Sequence, residues 1–188
     1  MCGIVGFVGM KEASPILVEG LSKLEYRGYD SAGVAILENG EINVRKYKGR
    51  LKNLEDNLYQ NPLGGSIGIG HTRWATHGEP SDVNSHPHTN ENATISVVHN
   101  GIIENYIKLK EWLGKKGYDF YSETDTEVIP NLIDYYYKGD LFEAVVKATS
   151  KMEGSYAIGV ICKNEPDKIV AVRKDSPLIV GIGEGEYF

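Results

Sequence analysis

Apolar residues in the first third of the chain follow patterns that predict strands on either side of a helix. Residues 2–9 are β-branched and glycine-rich, which is typical of a buried strand. Apolar residues recur at helical spacing over 13–26 and predict an amphipathic helix. The segments 33–37 and 41–47 flank Asn39-Gly40, a strong hairpin signal. Two antiparallel strands are therefore expected there.

The pattern weakens towards the middle of the chain. Leu51, Leu54 and Leu58 predict a short helix, and residues 66–71 predict another glycine-spaced strand. Between residues 72 and 92 no period persists, and a stretch of that length without regular structure is more typical of a functional loop than of a simple connection.

The second half predicts one strand, then three helices, then strands again. The first strand covers 94–99 and ends at the turn-prone Asn100-Gly101. The helical patterns cover 106–116, 126–137 and 141–152, and the later strands 155–162, 168–173 and a third candidate, 178–182. This order favours a single α+β domain in which helices cover hairpin-paired sheets.

Composition narrows the class of protein. Hydrophobic residues make up 41% and charged residues 24% of the 188 residues, as in soluble globular proteins. The net charge of -6, with no basic block, argues against nucleic acid as a partner. No stretch has the apolar length of a membrane span, and the amino terminus fits a secretory signal poorly. We therefore expect a cytoplasmic protein with no membrane partner.

Cys2 is the first candidate for chemistry because it directly follows Met1. A small second residue permits removal of that methionine, which would leave a thiol and an α-amine on one residue. Their reference pKa values, roughly 8.5 and 7.7 to 8.0, are close enough for the amine to act as base for the thiol. The alternative interpretation is that Cys2 is a small buried hydrophobic residue. The other cysteine, Cys162, ends an apolar strand and is expected to pack in the core.

Six ordered motifs narrow the interpretation: CGIVG, EYRGYDSAG, GHTRWATHGEP, HPH, VVHNGIIEN and SETDTE. Together they resemble the class II glutamine amidotransferases, which are N-terminal-nucleophile hydrolases, and within that class the isomerising glutamine-fructose-6-phosphate aminotransferases. The resemblance implies a four-layer αββα sandwich of two antiparallel sheets flanked by helices. It also implies that residues 1–188 are a glutaminase domain that is incomplete at its C-terminus and lacks the sugar-isomerase domains.

The resemblance also implies roles for particular residues. Cys2 would attack the glutamine side-chain amide and form a thioester as ammonia leaves. The Asn100 side-chain amide and the Gly101 backbone N–H would bind the oxyanion, although Asn-Gly is by itself a common hairpin turn. Arg73 would bind the substrate carboxylate and Asp125 its ammonium group. A surface ion pair for Arg73 and a helix N-terminal charge for Asp125 are the structural alternatives.

The remaining residues implied by the family lie around the same substrate. Trp74, Thr76 and His77 would belong to a loop that folds over glutamine, His86 would line the pocket, and Arg27 would lie in the loop facing the nucleophile. The alternative is that Trp74 is a core or partner-surface residue, which is the more common role of a tryptophan.

All five histidines lie between residues 71 and 99, which raises a zinc hypothesis. Their spacing matches no known zinc signature, so we expect no metal, and we expect no other cofactor.

The expected partner is L-glutamine, with fructose 6-phosphate as ammonia acceptor only in the full-length enzyme. The family implies a homodimer for that enzyme, whereas a monomer stays open for this chain. Three alternatives remain: a class II amidotransferase with phosphoribosyl pyrophosphate or aspartate as acceptor, a metal-dependent hydrolase, and a non-catalytic glutamine-sensing module.

Overall fold

The computed structural model describes residues 2–75 and 78–188, which form two antiparallel sheets packed face to face. The first sheet has the strand order β1-β4-β2-β3 and the second the order β5-β6-β7-β8. The strands are β1 Gly3–Val8, β2 Ser31–Glu38, β3 Glu41–Lys48, β4 Ile67–Arg73, β5 His88–Thr89, β6 Ile95–Ile103, β7 Gly154–Cys162 and β8 Glu165–Lys174.

Helices cover the outer face of each sheet. Two helices, α1 Ala13–Ser22 and α2 Leu51–Gln60, pack on the first sheet. Three further helices, α3 Tyr106–Gly114, α4 Val128–Tyr136 and α5 Leu141–Thr149, lie on the second-sheet side. The predicted four-layer αββα sandwich is therefore confirmed. Among the residues that the structure describes, no helix has the length and apolar character needed to cross a membrane.

Glycines on β4 allow α1 to approach the first sheet closely. A Cβ atom at Gly68 would lie 2.9 Å from Leu17 Cδ1, and one at Gly70 would lie 3.0 Å from Leu21 Cδ1. Both leucines are fully buried. The alternating glycines of β4 thus make room for the helix on one face of the strand, while larger residues occupy the opposite face.

That opposite face of β4 packs against the second sheet. Ile67 and Ile69 join an apolar cluster that includes Val98 from the second sheet. Because side chains alternate along a strand, His71 and Arg73 continue the same face. The space between the sheets is therefore apolar along most of β4 and becomes polar where the strand ends, next to the start of β1.

Two sequence predictions were wrong. Asn100 and Gly101 do not form a turn, because β6 continues through them and pairs with Ala157 and Tyr156 of β7. Residues 178–182 do not form a strand and make only an isolated bridge between Ile182 and Tyr187.

The helix predicted over 13–26 also ends earlier, at Ser22, and a short 3-10 turn follows at Glu25–Arg27. Arg27 ends this turn, and the loop that follows contains Asp30.

Candidate active site

Cys2 lies immediately before β1, at the polar end of the space between the sheets. Its Sγ atom accepts a hydrogen bond from the Trp74 backbone N–H at 3.2 Å and lies 3.5 Å from the Trp74 carbonyl oxygen. Burial raises the pKa of the Cys2 thiol above its ordinary value. The resting sulfur is therefore a protonated thiol at neutral pH, and a base must remove its proton before it can act as a nucleophile.

Arg73 is the last residue of β4, and only 3% of it is exposed. Its Nη2 atom donates to the Gly78 carbonyl oxygen at 3.0 Å, and its Nη1 atom lies 3.9 Å from Asp30 Oδ1. Asp30 also accepts a hydrogen bond from the Ala75 backbone N–H. The Asp30 carboxylate thus contacts both the Arg73 guanidinium and the backbone of Ala75, two residues further along the chain.

Asp30 was not among the predicted site residues. The available signal was an acidic residue in the same short loop as Arg27, beside a segment rich in small residues. The sequence does not show which groups this carboxylate contacts. The structure identifies its partners as Arg73 and the backbone N–H of Ala75.

Asn100 brings a side-chain amide to the nucleophilic residue. Its Nδ2 atom donates to the Cys2 carbonyl oxygen at 3.1 Å, and its Oδ1 atom lies 3.0 Å from His71 Nε2. Gly101 follows with a φ of 130°, and a Cβ atom there would lie 2.1 Å from the Ser155 carbonyl oxygen. Only glycine fits this backbone position. The strand therefore places the Asn100 amide donor and Gly101 side by side in the cavity wall.

Asp125 supplies a carboxylate on the second-sheet side. It is 4% exposed, and its Oδ2 atom accepts a hydrogen bond from the Ile103 backbone N–H at 2.8 Å. Helix α4 begins at Val128, three positions further along. Asp125 therefore lies in the turn before the helix and is tied to the end of β6.

These groups line one cavity of about 350 Å³, which lies in the size range of small-molecule sites. All the predicted site residues that the structure describes line it: Cys2, Arg27, Arg73, Trp74, His86, Asn100, Gly101 and Asp125. Thr76 and His77, also predicted, lie outside the described residues. Ser176 and Pro177 line the cavity as well, and nothing in their local sequence indicated it. A buried guanidinium and a buried carboxylate in one cavity are complementary to the two charges of an α-amino acid.

Trp74 does not belong to the core. It is 46% exposed, and its ring forms a T-shaped pair with the Tyr29 ring at a centroid distance of 5.2 Å. An exposed aromatic pair at the rim of the cavity favours the predicted cover over the alternative of a core residue.

A reciprocal pair of hydrogen bonds anchors the segment that follows residue 77. Asn84 Nδ2 donates to Glu123 Oε2 at 3.0 Å, and the Glu123 backbone N–H donates to Asn84 Oδ1 at 3.0 Å. Asn84 Nδ2 also donates to the Glu79 carbonyl oxygen at 2.9 Å. This clasp, formed by Asn84 and Glu123, joins the segment carrying Gly78 to the segment carrying Asp125.

Four histidines are buried, His71, His86, His88 and His99, and of these His86 and His99 line the cavity. The rings of His71 and His86 stack at a centroid distance of 4.1 Å. Burial lowers the pKa of all four, to about 3 for His71 and about 4 for His99, so they are neutral at physiological pH. Within 2–75 and 78–188, no three His, Cys, Asp or Glu side chains are arranged to hold a metal ion.

Comparison with known proteins agrees with this geometry. The family model described as "Glutamine amidotransferase domain" matches residues 71–187. The chain belongs to this family, and its sandwich is of the N-terminal-nucleophile hydrolase type.

The relatives give a more particular similarity. The chain is 76% identical over 188 residues to the glutamine-fructose-6-phosphate aminotransferase (isomerizing) of Clostridium tetani and 56% identical to that of Aquifex aeolicus. These alignments cover 100% of this chain but only 31% and 32% of the relatives, so the chain spans about a third of their length.

Among solved structures, the glutamine phosphoribosylpyrophosphate amidotransferase of B. subtilis complexed with ADP and GMP is similar, with a TM-score of 0.85 and 25% identity. That alignment covers 100% of this chain and 41% of the other.

Proposed function

We propose that this chain hydrolyses L-glutamine to glutamate and ammonia, with Cys2 as the nucleophile. The observation that carries the proposal is that Cys2, Arg73, Asn100 and Asp125 line one cavity. Arg73 would bind the substrate α-carboxylate and Asp125 its α-ammonium group, which leaves the side-chain amide directed at the sulfur.

The reaction proceeds in two halves. The Cys2 sulfur attacks the amide carbon, a C–S bond forms, and the carbonyl electron pair moves onto oxygen. The Asn100 amide and the Gly101 N–H would stabilise that oxyanion. Collapse of the adduct breaks the C–N bond and releases ammonia. Water then attacks the thioester, breaks the C–S bond and releases glutamate with the thiol restored.

The proton transfers require a base because the Cys2 thiol is protonated at rest. An α-amine on Cys2, present once Met1 is removed, would accept the thiol proton and pass it to the departing nitrogen. The buried histidines are poor candidates for this role, because burial keeps their pKa values far below neutrality.

The test compares the chain that begins at Cys2 with the same chain retaining Met1, in an assay of ammonia and glutamate formed from L-glutamine. Activity is expected only in the processed chain, and Cys2→Ala should abolish it. Cys162→Ala is the matched control, because Cys162 is a buried free thiol that does not line the cavity and should not contribute.

A second measurement identifies the reacting thiol. Intact mass spectrometry with 6-diazo-5-oxo-norleucine should show one adduct, on Cys2, in both the unchanged and Cys162→Ala chains. Ammonia release that survives Cys2→Ala would end the proposal. Glutamine binding without turnover in the processed chain would instead support a sensing module.

We further propose that, in a protein of the relatives' length, the ammonia acceptor is fructose 6-phosphate and the protein is a cytoplasmic homodimer. The support is 76% identity to an aminotransferase named for that sugar, against 25% to one named for phosphoribosyl pyrophosphate. Assaying such a protein with each acceptor separates the two, and light scattering during size-exclusion chromatography tests the dimer.

A further inference from the structure

A hydrogen bond between the two sheets joins His71 to the Asn100 side chain. His71 lies on β4 of the first sheet, and Asn100 lies on β6 of the second. His71 Nε2 is 3.0 Å from Asn100 Oδ1 and 3.0 Å from the His99 carbonyl oxygen. Both partners are carbonyl oxygens, which can only accept. His71 must therefore carry its proton on Nε2 and donate it.

The surroundings of His71 keep it in this single state. Only 1% of the residue is exposed, and burial lowers its pKa to about 3. Its Nδ1 atom has no hydrogen-bond partner among the described residues, and its ring stacks on His86 with an interplanar angle of 12°. A neutral ring with its proton on Nε2 satisfies all of these contacts, whereas the other tautomer would direct a lone pair at two carbonyl oxygens.

The orientation of an asparagine amide decides whether it can stabilise an oxyanion. With Oδ1 held by His71, Nδ2 faces Cys2, as its 3.1 Å contact with the Cys2 carbonyl shows. A 180° rotation would exchange the two atoms and direct an acceptor at the developing negative charge. Such a rotation changes the shape of the side chain very little, so packing alone discriminates poorly between the two orientations.

We propose that His71 is a positioning residue that sets the Asn100 amide with its N–H groups towards Cys2 and so pre-forms half of the oxyanion site. This inference rests on the proposed glutaminase function. His71 touches no reacting atom and acts only through Asn100.

The experiment compares three variants of the chain that begins at Cys2. His71→Leu removes the donor, whereas His71→Gln retains an N–H group that reaches about as far as Nε2. His88→Leu is the matched control, because His88 is also buried, at 4% exposure, but its Nε2 atom contacts Thr124 Oγ1 at 3.2 Å rather than Asn100.

The expected result is a loss of kcat without a matching loss of binding. His71→Leu should lower kcat by about 10² to 10³-fold, the effect of losing one oxyanion donor, while KM changes by less than about threefold. His71→Gln should recover most of the loss, and His88→Leu should retain a kcat near that of the unchanged chain. Equal kcat in His71→Leu and the unchanged chain, or an equal loss in His88→Leu, would overturn the inference.

A measurement on the unchanged protein keeps this test separate from that of the proposed function. Nitrogen-15 NMR of histidine-labelled protein should show His71 as the neutral Nε2-protonated tautomer from pH 5 to pH 8. A Nδ1-protonated ring or an imidazolium would contradict the positioning role even if glutamine is hydrolysed. An unchanged chain without glutaminase activity would contradict the proposed function while leaving the tautomer result to decide whether His71 orients Asn100.

Discussion

The buried histidines lead to a prediction about how stability depends on pH. Burial lowers the pKa of His71 to about 3 and that of His99 to about 4. It also holds the pKa values of His86 and His88 well below the ordinary one. In the unfolded chain the same side chains accept protons near pH ~6.5. Below that pH the unfolded state therefore binds more protons than the folded state, and acid favours unfolding.

The magnitude follows from the two numerical pKa values. For His71 and His99, pH 5 lies about 1.5 units below the pKa of the unfolded side chain, and each unit is worth about 1.4 kcal/mol. The folded state should lose about 2 kcal/mol for each of these residues, or about 4 kcal/mol in total. This is a large part of the roughly 5 to 15 kcal/mol that stabilises a typical domain. The histidines cost no stability well above pH ~6.5, and the loss of folding free energy grows as the pH falls towards their folded pKa values.

Urea denaturation followed by circular dichroism at several pH values between 5 and 6.5 measures the effect. The free energy of unfolding should fall by about 2.4 kcal/mol between pH 6 and pH 5 from His71 and His99 together. His71→Gln removes one titrating group and should reduce that fall by about 1.2 kcal/mol. A flat profile, or a slope that the variant leaves unchanged, would refute the assignment of these histidines as buried and neutral.

Three further predictions concern the cavity itself. Gly101→Ala places a Cβ atom 2.1 Å from the Ser155 carbonyl oxygen and should destabilise the chain by at least about 2 kcal/mol in urea denaturation. Gly114→Ala, whose Cβ meets nothing within 4 Å, should not destabilise it. Arg73→Lys replaces a planar fork with a point charge, and we expect KM for glutamine to rise by about tenfold or more in a steady-state assay. Asp125→Asn keeps an acceptor for the Ile103 N–H but removes the charge. It should therefore raise KM while the melting temperature changes little, and an unchanged KM would exclude Asp125 as the ammonium partner.

Local sequence patterns were sufficient to predict a structural element wherever residues close in the chain supply the contacts that stabilise it. Asn39 and Gly40 adopt φ angles of 52° and 76°, as their hairpin pattern predicted. Helix α5 begins after Asp140, whose side chain accepts a hydrogen bond from the Glu143 N–H at 2.9 Å. Both features are decided within a few residues, so the printed sequence contains the necessary information.

The second Asn-Gly pair shows where local patterns fail. Asn100-Gly101 has the same turn-forming letters, yet it continues β6 because β7 pairs with it along its length. The ladder of hydrogen bonds outweighs the local turn preference, and the positive φ of Gly101 is accommodated within the strand. Residues 178–182 show the opposite failure, because an apolar run with strand-like composition forms a ladder only when a neighbouring strand pairs with it.

Apolar periods in the sequence predicted an α+β domain, and its six motifs carried the family resemblance, which implied the four layers and the candidate groups. Both kinds of pattern are local features of the chain. The tertiary structure was needed to show that His71 contacts Asn100, that Asp30 accepts a hydrogen bond from the Ala75 N–H, and that Asn84 clasps Glu123. Each of these contacts joins residues 29 to 45 positions apart in the chain. Such contacts depend on the register and facing of two sheets, and no local pattern specifies how one sheet lies on the other.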